Sequence, residues 1–269
     1  MDRPTGGNGR PSVSLLLHLA RTGGTLISRC LATMPNVVLL SEIHPDGAAI
    51  NHPIYDPVDQ ATRWYGLFDA AEAQARGRTT PEKFVGAIGA IAERSRARGA
   101  TLVVRDWTHL DFVGAPFRRD TSGKLATLAA LSPHFDVRVF ATVRHPIPQW
   151  LSLRRILGSA DLTEERFLAG CRAFAEAIAP IGFVRYEDVA AAPDATLSRL
   201  ADALGILFDP AYAGKWAAYR HITGDAPAAG ESDIRPPRKR PLPPGLASRF
   251  AANDDYRRTL EILGYEHSG

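Results

Sequence analysis

The residues best suited to chemistry lie in Leu17-His18-Leu19-Ala20-Arg21-Thr22-Gly23-Gly24-Thr25-Leu26-Ile27. An apolar run from Val13 to Leu17 leads into this stretch and reads as a buried strand. Leu26, Ile27, Cys30 and Leu31 follow with the spacing of one helix face. A strand, a glycine turn and a helix N-terminus together form an anion site. The first backbone N–H groups of the helix have no intrahelical partner, and the positive end of its dipole lies behind them. Arg21 adds a full charge, and Thr22 and Thr25 add hydroxyl donors. The stretch therefore reads as a phosphate cradle.

It departs from the nucleoside-triphosphate loop G-x-x-x-x-G-K-[ST]. With Gly23-Gly24-Thr25 set on the G-K-[ST] end, His18 stands where the first Gly belongs and Gly24 stands where the Lys belongs. The cation has moved three residues earlier, to Arg21.

Two further segments carry chemistry. Val137 to Val143 reads as a buried strand that runs into Arg144-His145-Pro146 and then Gln149-Trp150-Leu151-Ser152. Arg144 is placed at a strand's C-terminal end, where ligands bind in open α/β sheets. Pro146 fixes the turn into a helix, and Ser152 lies about two turns along it, so the pair can close on one phosphate. The third segment, Gly182 to Asp188, reads as a strand ending in Tyr186-Glu187-Asp188, followed by Pro193 and a helix with Leu197, Leu200 and Leu204.

In this order, the three segments resemble the sulfotransferase family that uses 3′-phosphoadenosine 5′-phosphosulfate (PAPS), in its bacterial type. That family binds the 5′-phosphosulfate with a P-[KR]-[ST]-G-[ST]-T-x loop and the 3′-phosphate with R-x-P-x-x-x-x-x-S, and a Y-E-D-like strand end lies near the adenine. The resemblance spans residues 12–208. Ala20 replaces the usual Pro, Gly24 a hydroxyl residue, and Leu26 an aromatic that stacks on adenine in some members. It implies a donor site made of Arg21, Thr22, Gly23, Gly24, Thr25, Leu26, Arg144, Ser152 and Tyr186. It also implies PAPS as donor co-substrate, adenosine 3′,5′-bisphosphate as product, and no metal requirement.

Transfer of a sulfuryl group to a hydroxyl acceptor needs a cation on the leaving phosphate and a base for the acceptor's proton. Arg21 is expected to supply the first. Glu42 is the expected base: it ends the Val37 to Leu40 strand, taken to neighbour the first strand, and so faces the loop. Bacterial carbohydrate and tyrosylprotein sulfotransferases carry a catalytic Glu in this place. The alternative for Glu42 is an ion pair with Arg21 or Arg105. His109 is the rival base, because Arg105-Asp106-Trp107-Thr108-His109 distantly resembles the K-T-H strand end of cytosolic members. His18 reads as a core histidine, His44 as a residue shaping the acceptor pocket, and Trp64, Tyr65 and Phe68 as helix core.

These residues need a scaffold that brings several strand ends together. Strand signals recur at 13–18, 37–42, 101–107, 136–144 and 181–187. Helical patterns lie between them at 25–33, 63–76, 82–97, 146–157, 164–179 and 194–204. The alternation predicts a three-layer αβα fold with a mostly parallel central sheet and a P-loop-like turn. A loose tail, 1–11, is expected before one domain over 12–269. Within it, 224–245 is proline-rich and basic, with Arg235, Arg238, Lys239 and Arg240. This segment reads either as a solvated loop or as a lid whose Arg238 and Lys239 meet the 3′-phosphate, as in the family's R-K-G loop.

The 269 residues suit a single α/β domain, and 45% of them are hydrophobic. A net charge of +3 and a pI near 9.0 are too mild to argue for a nucleic-acid partner. Cys30 and Cys171 form no disulfide framework, which fits a reducing compartment and a cytoplasmic location. The longest apolar run is too short to span a bilayer and reads as a first core strand rather than a signal peptide. The acceptor is expected to be a small-molecule, carbohydrate or lipid hydroxyl, and a homodimer is compatible with the chain. Two other readings are a nucleotide or nucleoside kinase of P-loop-like fold and a non-catalytic nucleotide-binding module.

Overall fold

A computed structural model of the chain describes residues 10–47, 53–158, 161–224, 233–235 and 240–266. Five strands carry the fold: β1 (Ser12–His18), β2 (Val37–Ile43), β3 (Thr101–Asp106), β4 (Asp136–Val143) and β5 (Phe183–Arg185). They form one parallel sheet in the order β2-β3-β1-β4-β5. β3 therefore separates β2 from β1, which corrects the expectation that those two are neighbours. β3 pairs with both β1 and β2, and hydrophobic periodicity carries no information on that order.

Between β1 and β2 runs α1 (Gly24–Ala32). The β2–β3 connection holds α2 (Pro57–Tyr65), α3 (Ala70–Arg76) and α4 (Pro81–Ala97). The expected 63–76 helix is thus two helices. Gly66 closes the first in a left-handed C-cap, and Asp69 opens the second with a capping box through Glu72. Two short helices, α5 (His109–Phe112) and α6 (Ala126–Leu131), precede β4. They are followed in the chain by α7 (Pro146–Leu153), α8 (Glu164–Ile178), α9 (Tyr186–Ala191), α10 (Pro193–Leu204), α11 (Leu246–Ala252) and α12 (Asp254–Leu263). Tyr186 begins a helix rather than ending a strand.

Strand alternation divides the core between the two sheet faces. On one face Leu15, Leu17, Leu40, Val104 and Ala141 pack with Phe84 and Ile88 of α4, Phe167, Cys171, Phe174 and Ile178 of α8, and Leu260 of α12. On the other, Leu16, Leu39, Val103 and Val184 pack with Ile27, Cys30 and Leu31 of α1 and Leu197, Leu200 and Leu204 of α10. Leu15, Leu16 and Leu17 are fully buried, so each stabilises the fold by about 1.5–3 kcal/mol. The layers are those expected of a three-layer α/β fold. No helix among the described residues is long and apolar enough to cross a membrane.

β1 lies at the centre, with β3 on one side and β4 on the other. Chain segments leaving β1, β3 and β4 therefore emerge side by side at the C-terminal edge, where open α/β sheets bind ligands.

Candidate active site

The turn after β1 closes on itself. Thr22 is buried and donates its hydroxyl to the Leu19 carbonyl (2.9 Å). Its part in this conformation is to fix the turn, not to face the cleft. Arg21 takes a left-handed backbone (φ 71°), as does Gly23 (φ 84°), the cap of α1. Among the described residues no side chain caps α1, so its first-turn N–H groups are open to an anion. Both glycines are sterically required. A Cβ on Gly23 would lie 2.1 Å from Cδ2 of Tyr186, and one on Gly24 would lie 2.5 Å from Cδ2 of His18.

Behind the turn stands Arg105, buried at the end of β3. Its Nε donates to Nε2 of His18 (3.1 Å). Nη1 donates to Oγ of Ser41 (3.0 Å) and to the Thr223 carbonyl (3.3 Å), and Nη2 donates to Oγ1 of Thr25 (3.4 Å) and Oε1 of Glu42 (3.2 Å). One guanidinium thus ties together β1, β2, α1 and the segment after residue 220. Burial lowers its pKa, and the Glu42 carboxylate acts in the opposite direction.

Glu42 reaches this position through a bulge. The β2–β3 register shifts between Ser41 and Ile43, and Glu42 has φ 55°, as an extra residue that breaks the strand's alternation does. The ion pair with Arg105 is therefore real. It engages Oε1 only, and among the described residues Oε2 has no hydrogen-bond partner.

His109, the rival base, has both ring nitrogens in use. Nδ1 accepts from the Ala20 N–H (3.4 Å), so Nε2 must carry the proton that it donates to the Ala115 carbonyl (2.9 Å). Burial holds its pKa down at about 4. His18 is also kept neutral by burial and by the Arg105 charge. His44 is buried: its Nδ1 accepts from the Asp46 N–H, and its other nitrogen donates to Asp111. Trp64, Tyr65 and Phe68 lie away from the cleft; Phe68 is core, and Tyr65 hydrogen-bonds Leu39 and Tyr219.

On the other side of β1, Arg144 follows β4. Its guanidinium lies over the Tyr186 ring (4.8 Å), and Nη1 donates to the Arg21 carbonyl (3.2 Å). Its buried Nε has no hydrogen-bond partner among the described residues. Burial lowers its pKa; Tyr186 and the Glu187 carboxylate act in the opposite direction, and the charges of Arg240 and Arg21 add to the lowering. Arg21 itself donates from Nε to Oγ of Ser152 (2.9 Å), two turns into α7. Ser152 thus accepts from Arg21 and keeps its own hydroxyl hydrogen for a ligand.

All these groups line one cleft of about 790 Å³. Of the sequence-predicted site residues, Arg21, Gly23, Gly24, Thr25, Leu26, Glu42, His109, Arg144, Ser152 and Tyr186 meet there. Arg238 and Lys239 lie outside the described residues, but their neighbour Arg240 reaches the wall. The described lining holds six arginines and one carboxylate. Cations crowded into a partly buried site are costly without counter-charge, so this wall is built for a polyanion.

Sequence reasoning did not place Arg105 in the site except as a partner for Glu42. The available signal was a charged residue closing an apolar strand, the same signal that identified Arg144. Tyr55 and Phe117 were also missed, because they come from irregular segments without periodicity.

No protein-family model and no curated protein matches this sequence. Solved structures do. The fold is similar to the sulfotransferase domain from the curacin biosynthetic pathway, at TM-score 0.63 and 18% identity, over 96% of this chain and 99% of that one. It is equally similar to the sulfotransferase domain from the Synechococcus PCC 7002 olefin synthase, at TM-score 0.64 and 18% identity, over 98% and 99% of the two chains. The chain has a sulfotransferase fold. At this identity the likeness speaks for the fold alone. Within the sulfotransferase fold described here, the cationic cleft lies at the C-terminal ends of β1, β3 and β4.

Proposed function

We propose that the protein is a sulfotransferase acting from PAPS on a hydroxyl acceptor. The observation that carries this reading is a single cleft holding an open helix N-terminus, two arginines on adjacent turns and one carboxylate with a free oxygen. The unpartnered Nε of Arg144 supports the fit, since a buried cationic donor without a partner calls for an anion.

The donor supplies an activated sulfuryl group, and its in-line transfer leaves adenosine 3′,5′-bisphosphate. In this reading Arg21, with the first N–H groups of α1, holds the 5′-phosphosulfate and neutralises charge on the leaving phosphate. Arg144 and the Ser152 hydroxyl bind the 3′-phosphate, while Tyr186 and Leu26 flank the base. Glu42 takes the acceptor's proton on Oε2 while Arg105 holds Oε1. A kinase reading is not favoured, because Gly24 occupies the place of the loop lysine and the fold neighbours are sulfotransferase domains.

The test is transfer of ³⁵S from labelled PAPS to a panel of alcohols, phenols and sugars. Labelled product from at least one acceptor is expected. Labelled phosphate transfer from ATP with no ³⁵S transfer would overturn the reading.

A further inference from the structure

The cleft is chemically divided. One end carries Arg21, Arg144 and Arg240. The other is walled by Tyr55 and Trp107, stacked at 4.4 Å between ring centroids, by Phe117 set edge-on to Trp107 at 5.0 Å, and by Ala115 and Pro116 just before it in the chain. Phe117 is 39% exposed and presents apolar surface to the cleft at this end.

The polar groups bordering this end are largely committed elsewhere. Both nitrogens of His109 are engaged, and every donor nitrogen of Arg105 already has a partner. Among the described residues beside the aromatic wall, the groups left to an acceptor are the Glu42 carboxylate, the Tyr55 hydroxyl and the Trp107 N–H. A sugar ring would bring several hydroxyls here, and each one that lost water without a replacement would weaken binding by about tenfold.

We infer that the acceptor is a compound apolar everywhere except at its reacting hydroxyl. Its apolar body rests on Tyr55, Trp107 and Phe117, with its hydroxyl towards Glu42. The inference rests on the proposed function, since it assigns the acceptor side of that same cleft. Aromatic walls of this kind hold an aryl or alkyl body by area and ring contact, and the single carboxylate selects the hydroxyl end.

The test is calorimetry on the full chain, first with adenosine 3′,5′-bisphosphate, then with 4-butylphenol and with methyl glucoside. We expect 4-butylphenol to bind at least about tenfold more tightly than methyl glucoside. Phe117→Ser alters an exposed side chain and spares the core. It should weaken 4-butylphenol about three- to tenfold and leave the bisphosphate affinity unchanged. Methyl glucoside binding as tightly as the phenol would overturn the inference, as would phenol binding indifferent to this substitution. The bisphosphate titration reports separately on the donor reading. Should the bisphosphate not bind, the phenol–glucoside comparison on the free protein decides the acceptor class by the same criteria.

Discussion

Glu42 and His109 both border the cleft, but they differ in what they have left to offer a substrate. The His109 ring accepts at one nitrogen and donates at the other, and burial keeps it neutral down to about pH 4. It would have to break a hydrogen bond before it could take a proton. Glu42 gives one oxygen to Arg105 and keeps the other. Glu42→Gln preserves size but removes the basic carboxylate, so kcat should fall about 10²–10⁴-fold, with donor affinity little changed. His109→Gln can still accept from Ala20 and donate to Ala115, so it should retain most of the rate. Steady-state kinetics on the two variants checks this assignment. An active Glu42→Gln enzyme beside a dead His109→Gln enzyme would reverse it. Because Glu42 sits on a bulge, no alternation of apolar residues could have announced its direction. The strand end was legible in the sequence, but the φ of 55° that aims the side chain was not.

At the scale of elements, the turn between β1 and α1 is coupled to the base through packing. Gly24 lies against His18, His18 accepts from Arg105, and Arg105 holds Glu42. Gly24→Ala would push a methyl group into the His18 ring at 2.5 Å. We expect this variant to stay folded by circular dichroism, to lose about 1–3 kcal/mol of stability, and to lose both donor affinity and turnover. Unchanged affinity and turnover would mean that the chain of contacts carries no such coupling. The strands were legible because each is an apolar run bounded by polar or glycine residues; 37–42 and 136–144, for example, differ from β2 and β4 by one residue. The order of the strands was not legible, since β3 enters between β1 and β2 without any mark in the periodicity. The break at Gly66 was visible as a glycine but was passed over, because apolar spacing continues through Leu67 and Phe68. The short helices α5, α6 and α11 run for too few turns to stand out.

For the whole molecule, the sheet order makes the site. Placing β1 between β3 and β4 sets Arg21 beside Arg144 on one side and brings Arg105 with Glu42 up on the other. Among the described residues no carboxylate lines the cationic half of the cleft, and Arg144 keeps a buried nitrogen without a hydrogen-bond partner. On this account, that half exists to hold two phosphate-bearing positions of one nucleotide. Charge-assisted hydrogen bonds contribute about 1.5–3 kcal/mol each. Calorimetric titration of the purified chain with adenosine 3′,5′-bisphosphate and with AMP, in chelator-treated buffer and repeated on Arg144→Ala, tests this most directly. The bisphosphate should bind at least about tenfold more tightly than AMP without added metal, and Arg144→Ala should remove most of the difference. Equal affinity for the two nucleotides, or a preference that survives the loss of Arg144, would contradict it.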